Sequence, residues 1–188
     1  MTNLNNHPES VSVRVPATAA NLGPGFDSIG MAVDLWSELT VTRGPFEVTI
    51  EGDGADVLPT DEGNLVVAGA RAAYNARGAE FPNLKFHCVN EIPFARGLGS
   101  SSAAIVSGIV AGFALQGDGT DPHEALLLAA EIEGHPDNVA PAIFGGCQIG
   151  VKAGDDWITS TIPVPEDLHA VILIPDFVGE TSEARGVL

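Results

Sequence analysis

The sequence predicts a mixed α+β fold, and three observations carry that expectation. Strand-like segments precede and separate the helical ones without strict alternation, which argues against a doubly wound parallel sheet. A turn rich in Gly and Ser, 97–102, joins a strand-like segment to an apolar helical one. With 45% hydrophobic residues among 188, the chain can pack one moderate domain, or one domain and part of another.

Taken in order, residues 1–10 are polar and read as a disordered leader. Val11, Val13 and Val15 alternate with Ser12 and Arg14, which predicts a strand stopping at Pro16. A Gly- and Pro-rich loop, 17–30, follows, then strands at 35–43 and 46–51. Leu65, Ala68, Ala72 and Ala76 recur at helical spacing within 64–77, ahead of Gly78 as a C-terminal cap. A strand at 84–92 leads to a buried helix at 101–115. Asp121 caps the next helix, 122–133, with Pro122 at its first position and Glu124 three residues after the cap. A short helix at 138–144 ends at Gly145-Gly146, and strands are expected at 147–152, 157–162 and 168–174.

The charge narrows the function classes. Twenty-five acidic residues against 8 basic ones give a net charge of −17. Nucleic-acid and anionic-membrane surfaces call for basic stripes, so neither partner is expected. A polyphosphate ligand would need local backbone dipoles and a metal ion here. Cys88 and Cys147 form no Cys-x-x-Cys pair, and Cys88 falls in an alternating strand, which favours a buried thiol. The first ten residues lack an apolar signal core and no segment has the length and apolarity of a membrane span, so the default expectation is a cytoplasmic protein.

Four segments hold polar residues that a plain core would not require. Within 92–104, Gly97 and Gly99 permit a sharp turn, and Ser100, Ser101 and Ser102 fall where a helix begins. Unpaired N–H groups and the positive dipole end there favour an anion, although an ordinary capped strand–turn–helix joint fits the same residues. A Walker loop is excluded because no Gly-Lys-Ser/Thr follows the glycines. The dinucleotide fingerprint fails too, with Ser102 at its third glycine. In the loop after the first strand, Asn21 and Asp27 suit a small polar ligand, or merely the turn itself.

Glu131 and Glu133 end a helix, where negative charge is unfavourable unless compensated, and Mg²⁺ is one compensating partner. Two solvated acids on an exposed helix end are the competing reading. His135, Asp137 and Asn138 crowd the turn that follows, with either of the last two also suited to capping the next helix. His135 has no second His or Cys at ligand spacing, so zinc is not expected. The fourth segment is 180–185, where Arg185, one of six arginines, offers a planar fork for a carboxylate or an ion pair with Glu183.

Together these segments resemble the GHMP kinase family, and within it the members that phosphorylate L-homoserine. Pro93-Phe94-Ala95-Arg96-Gly97-Leu98-Gly99-Ser100-Ser101 matches the family's Pro-x-x-x-Gly-Leu-Gly-Ser-Ser pattern. The stretches 16–27, 134–142 and 181–185 carry the further likeness, in family order. The Gly-Lys pair that mevalonate kinases carry is replaced by Thr18-Ala19.

The resemblance implies transfer of the γ-phosphoryl of ATP to the hydroxyl of L-homoserine. Pro93, Phe94, Ala95, Arg96, Gly97, Leu98, Gly99, Ser100, Ser101, Ser102 and Ala103 would then wrap the phosphates. Ser101 and Glu131 would hold Mg²⁺. Asn21, Asp27, His135, Asp137, Asn138 and Arg185 would surround the acceptor, with Asp137, Asn21 and Arg185 nearest the chemistry. Arg185 would take the acceptor's carboxylate. The implied organisation is an N-terminal domain at 11–165, of the ribosomal protein S5 domain 2-like type, and the start of a ferredoxin-like C-terminal domain at 166–188. The family's Gly-Ser-Gly segment is missing from the 188 residues. A homodimer is compatible with this reading.

Overall fold

One long strand organises the sheet. In the computed structural model, which describes residues 7–154 and 156–174, β1 (Ser10–Ala20) runs antiparallel to the 15-residue β2 (Ile29–Arg43). The other edge of β2 is shared by two partners. Its residues 38–43 pair with β4 (Leu84–Asn90), and residues 29–31 pair with β5 (Cys147–Ala153). β3 (Glu47–Gly52) lies parallel to β4, and β6 (Asp156–Ile162) antiparallel to β5. The mixed six-stranded sheet with its helices is the α+β architecture expected.

Four helices complete the fold among the described residues: α1 (Leu65–Ala76), α2 (Ser100–Leu115), α3 (Pro122–Glu133) and α4 (Val139–Phe144). The start of α3 follows the predicted chemistry, and α1 has a cap of the same kind. Asn64 caps α1 by accepting from Val66 N, and Asp121 caps α3 by accepting from His123 N and Glu124 N. Helix α2 is apolar on nearly every side because it serves two cores. One contains Val15, Ile105, Ile109, Phe113, Leu126 and Ala129; the other contains Leu39, Val41, Val67, Phe86 and Leu115. It also touches α1 backbone to backbone. A Cβ at Gly108 would lie 2.2 Å from Val66 O, and one at Gly69 2.3 Å from Ile105 O. Larger residues there would push α2 aside, and the start of α2 with it.

Three expectations need correction. Strand β1 does not stop at Pro16 but runs to Ala20, shortening the loop after it. Between the pairs Pro16↔Trp36 and Ala17↔Val33, β2 carries two extra residues, and this bulge accommodates a residue with no N–H to give. Part of the leader is held: Arg43 donates from N to Glu9 O and from Nε to Pro8 O, and Ser10 already belongs to β1. Finally, 168–174 forms no strand, because it finds no ladder partner among the described residues; Val171 is 94% exposed. Cys88 and Cys147 are buried free thiols, and burial pushes the Cys88 thiol up to about 11.

Candidate active site

The Gly-Ser turn reaches α2 in an open form. Ala95, Gly97 and Gly99 all have positive φ, at 53°, 72° and 65°. At Gly99 the left-handed turn also needs the missing side chain, since a Cβ would sit 2.0 Å from Thr18 Oγ1. Gly99 is the residue before α2, and no side chain caps the helix there. The serines do not act as caps. Ser101 Oγ and Ser102 Oγ both donate to Glu133 Oε1, at 2.8 and 2.9 Å. Among the described residues the first-turn amides therefore keep no side-chain partner of their own, which is the arrangement an anion requires.

The acid facing Ser101 is Glu133, not Glu131. Two positions apart on a helix point about 200° apart, and Glu131 is exposed. The buried face of α3, through Leu126, Ala129 and Ala130, continues by helical spacing to position 133. That periodicity was the available signal. The two hydroxyls also answer the cost of a carboxylate at a helix C-terminus.

On one side of the turn lies an apolar cavity of about 160 Å³. Leu39, Ile50, Leu65, Cys88, Ile92 and Phe94 line it, and it reaches Ser100 and Ser101. Asp53, just after β3, accepts from Phe94 N and so ties the turn to the cavity wall. Neither the cavity nor Asp53 announces itself in the sequence. Strands β2, β3 and β4 and helix α1 supply the wall from distant positions.

On the other side, the loop after β1 meets the turn after α3. Asn21 (φ 59°) accepts from Asp27 N through Oδ1 at 2.9 Å, so it shapes the loop that presents Asp27. Asp27, His135 and Asp137 bring ligand atoms within 4.8 Å of one another. Asp137 is 1% exposed; its Oδ1 accepts from the His135 ring and from Asn138 N (3.0 Å). Its Oδ2 is buried with no hydrogen-bond partner among the described residues. An orphaned carboxylate oxygen is costly, and a cationic or hydroxyl-bearing ligand would satisfy it. The turn gets this close because β2 has Gly30, where a Cβ would lie 1.8 Å from Asp137 O.

Asn138 is used differently from the rest of that cluster. Its Oδ1 accepts from Thr18 Oγ1 at 2.8 Å, turning it towards the phosphate side. Arg185 lies outside the described residues. No helix among the described residues is long and apolar enough to cross a membrane.

The chain is similar to known proteins in sequence and in fold. Residues 64–146 match the family described as GHMP kinases N terminal domain. The chain is 44% identical to a homoserine kinase of Carboxydothermus hydrogenoformans over 180 residues, covering 95% of this chain and 59% of that protein. It is 45% identical to a homoserine kinase of Moorella thermoacetica, covering 94% of this chain and 60% of the relative. The crystal structure of a homoserine kinase from Cytophaga hutchinsonii superposes with a TM-score of 0.83 at 32% identity, over 98% of this chain and 61% of that one. The chain thus spans about three fifths of the length of these relatives.

Proposed function

From a chain that carries the N-terminal domain of the GHMP kinase family, we propose an ATP-dependent small-molecule kinase that transfers the γ-phosphoryl group to the hydroxyl of L-homoserine. The product is O-phospho-L-homoserine, and the setting is threonine biosynthesis in the cytoplasm. One observation carries the reading. The uncapped start of α2 lies between an apolar cavity and the cluster of Asp27, His135 and Asp137, with Ser101 and Ser102 turned onto Glu133.

Geometry supports the proposed roles of the described residues, and the sequence resemblance alone supports that of Arg185. The base of ATP enters the apolar cavity, and the amides of 97–102 hold its phosphates. Ser101 and Glu133 offer two hard oxygen donors 2.8 Å apart, a set that fits Mg²⁺ and not a softer metal. When bound, that ion screens the charge between the phosphate oxygens. Asp27 and the open oxygen of Asp137 take the polar end of the acceptor, and Arg185 its carboxylate. Asp137, held by His135 and Asn138 N, keeps one orientation when the acceptor arrives. Phosphoryl transfer asks mainly for such positioning and charge stabilisation.

A coupled ADP-release assay, with L-homoserine set against other small alcohols, tests the proposal. ADP release dependent on homoserine is expected, together with a rise in Tm on adding Mg·ATP. Turnover with another alcohol but not homoserine would reassign the acceptor. Absence of any Mg·ATP effect on Tm would remove the kinase reading.

A further inference from the structure

Thr18 belongs to neither half of the site, yet it touches both. It lies on β1 beyond the bulge and is fully buried, at 0% exposure. Its backbone N donates to Leu98 O in the phosphate turn at 3.0 Å. Its hydroxyl donates to Asn138 Oδ1 at 2.8 Å. Asn138 N then donates to Asp137 Oδ1, the same oxygen that takes the His135 ring. The result is an unbroken chain of contacts, Leu98–Thr18–Asn138–Asp137–His135. Gly99 is pressed against its middle, since a Cβ there would lie 2.0 Å from Thr18 Oγ1 and 3.1 Å from Asn138 Oδ1.

Packing alone does not explain a hydroxyl in this place. Valine would fill nearly the same volume in a buried strand, without a polar group to desolvate. What the hydroxyl adds is a fixed orientation for Asn138, the residue directly after Asp137. A phosphate drawing on the Gly99 and Ser100 backbone acts next to that hydrogen bond. Ordering it in advance leaves less to order when the acceptor binds.

We infer that Thr18 is a positioning residue that couples the two halves of the site, so that nucleotide on the phosphate turn raises affinity for the acceptor. This rests on the kinase reading above and adds a property to it. By reciprocity, the acceptor strengthens nucleotide binding by the same factor.

Calorimetric titration of L-homoserine, with and without a non-hydrolysable Mg·ATP analogue, measures the coupling. The native chain and Thr18→Ser, which keeps the donor, are expected to bind homoserine at least about fivefold tighter with nucleotide present. Thr18→Val is expected to lose most of that ratio, to under about twofold. Thr18→Ala replaces it in the comparison if the valine variant does not fold. A merely structural role would lower Tm and leave the ratio unchanged, and that result overturns the inference. Binding of both ligands by the native chain without coupling overturns it too, and leaves the kinase reading intact. Binding of neither ligand removes both.

Discussion

Helix α3 begins under its own cap, with Asp121 accepting from His123 N and Glu124 N and Pro122 needing no partner at all. Helix α2 begins at a left-handed Gly99 with three serines in a row, yet no side chain caps it. Two of those serines face Glu133 instead. Serine at a helix start normally closes the helix on itself; here two of the hydroxyls are aimed at a carboxylate, and in the proposed function the first-turn amides take a ligand. On the proposed reading, the difference separates a helix start that serves stability from one that serves binding.

Substitutions at each start should break along that line. Glu133→Ala is expected to have the largest effect, lowering kcat/KM on the order of 10²–10³-fold, because Ser101 and Ser102 lose their common acceptor and the cation loses a carboxylate. Steady-state rates against Mg²⁺ concentration would check this; a loss explained wholly by unfolding in a melting curve would refute the role. Ser101→Ala is expected to cost about 10- to 100-fold in turnover with little change in Tm. If Tm falls and turnover survives, Ser101 is structural after all. Asp121→Ala should do the reverse, costing about 1 kcal/mol of stability while KM for Mg·ATP holds. Thermal melts and kinetics on the same preparation decide it, and a raised KM would blur the distinction between the two helices. Glu131→Ala should do least, within about 0.5 kcal/mol in stability and unchanged in rate. A rate loss matching that of Glu133→Ala would return the metal role to Glu131.

The same contrast explains what the sequence could disclose. Helices α1 and α3 were legible almost to the residue, because the spacing of Leu65, Ala68, Ala72 and Ala76 and the residues Gly78, Asp121 and Pro122 are local signals. The turn at 97–102 was legible as a sharp glycine bend running into a helix for the same reason. Strand β1 past Pro16 was not, since its continuation depends on two extra residues in a partner strand. The early start of β2 was hidden by Gly30, which reads as a loop residue but makes room for Asp137 O. The choice between Glu131 and Glu133 was open to the spacing of Leu126, Ala129 and Ala130 within α3, although the partner serines on α2 were not. Strand pairing for 168–174 needed a neighbour that the described residues do not provide. Thr18 and Asp53 make their contacts with residues far away in sequence, Thr18 with Leu98 and Asn138 and Asp53 with Phe94.

The most direct test follows backbone amides in the ¹⁵N-labelled chain while Mg·ADP is added. Saturable shifts at Gly97, Gly99, Ser100, Ser101 and Ser102, with His123 and Glu124 at the capped start of α3 unmoved, are the predicted result. Titration that leaves the Gly99–Ser102 amides still, or moves both helix starts alike, would contradict it.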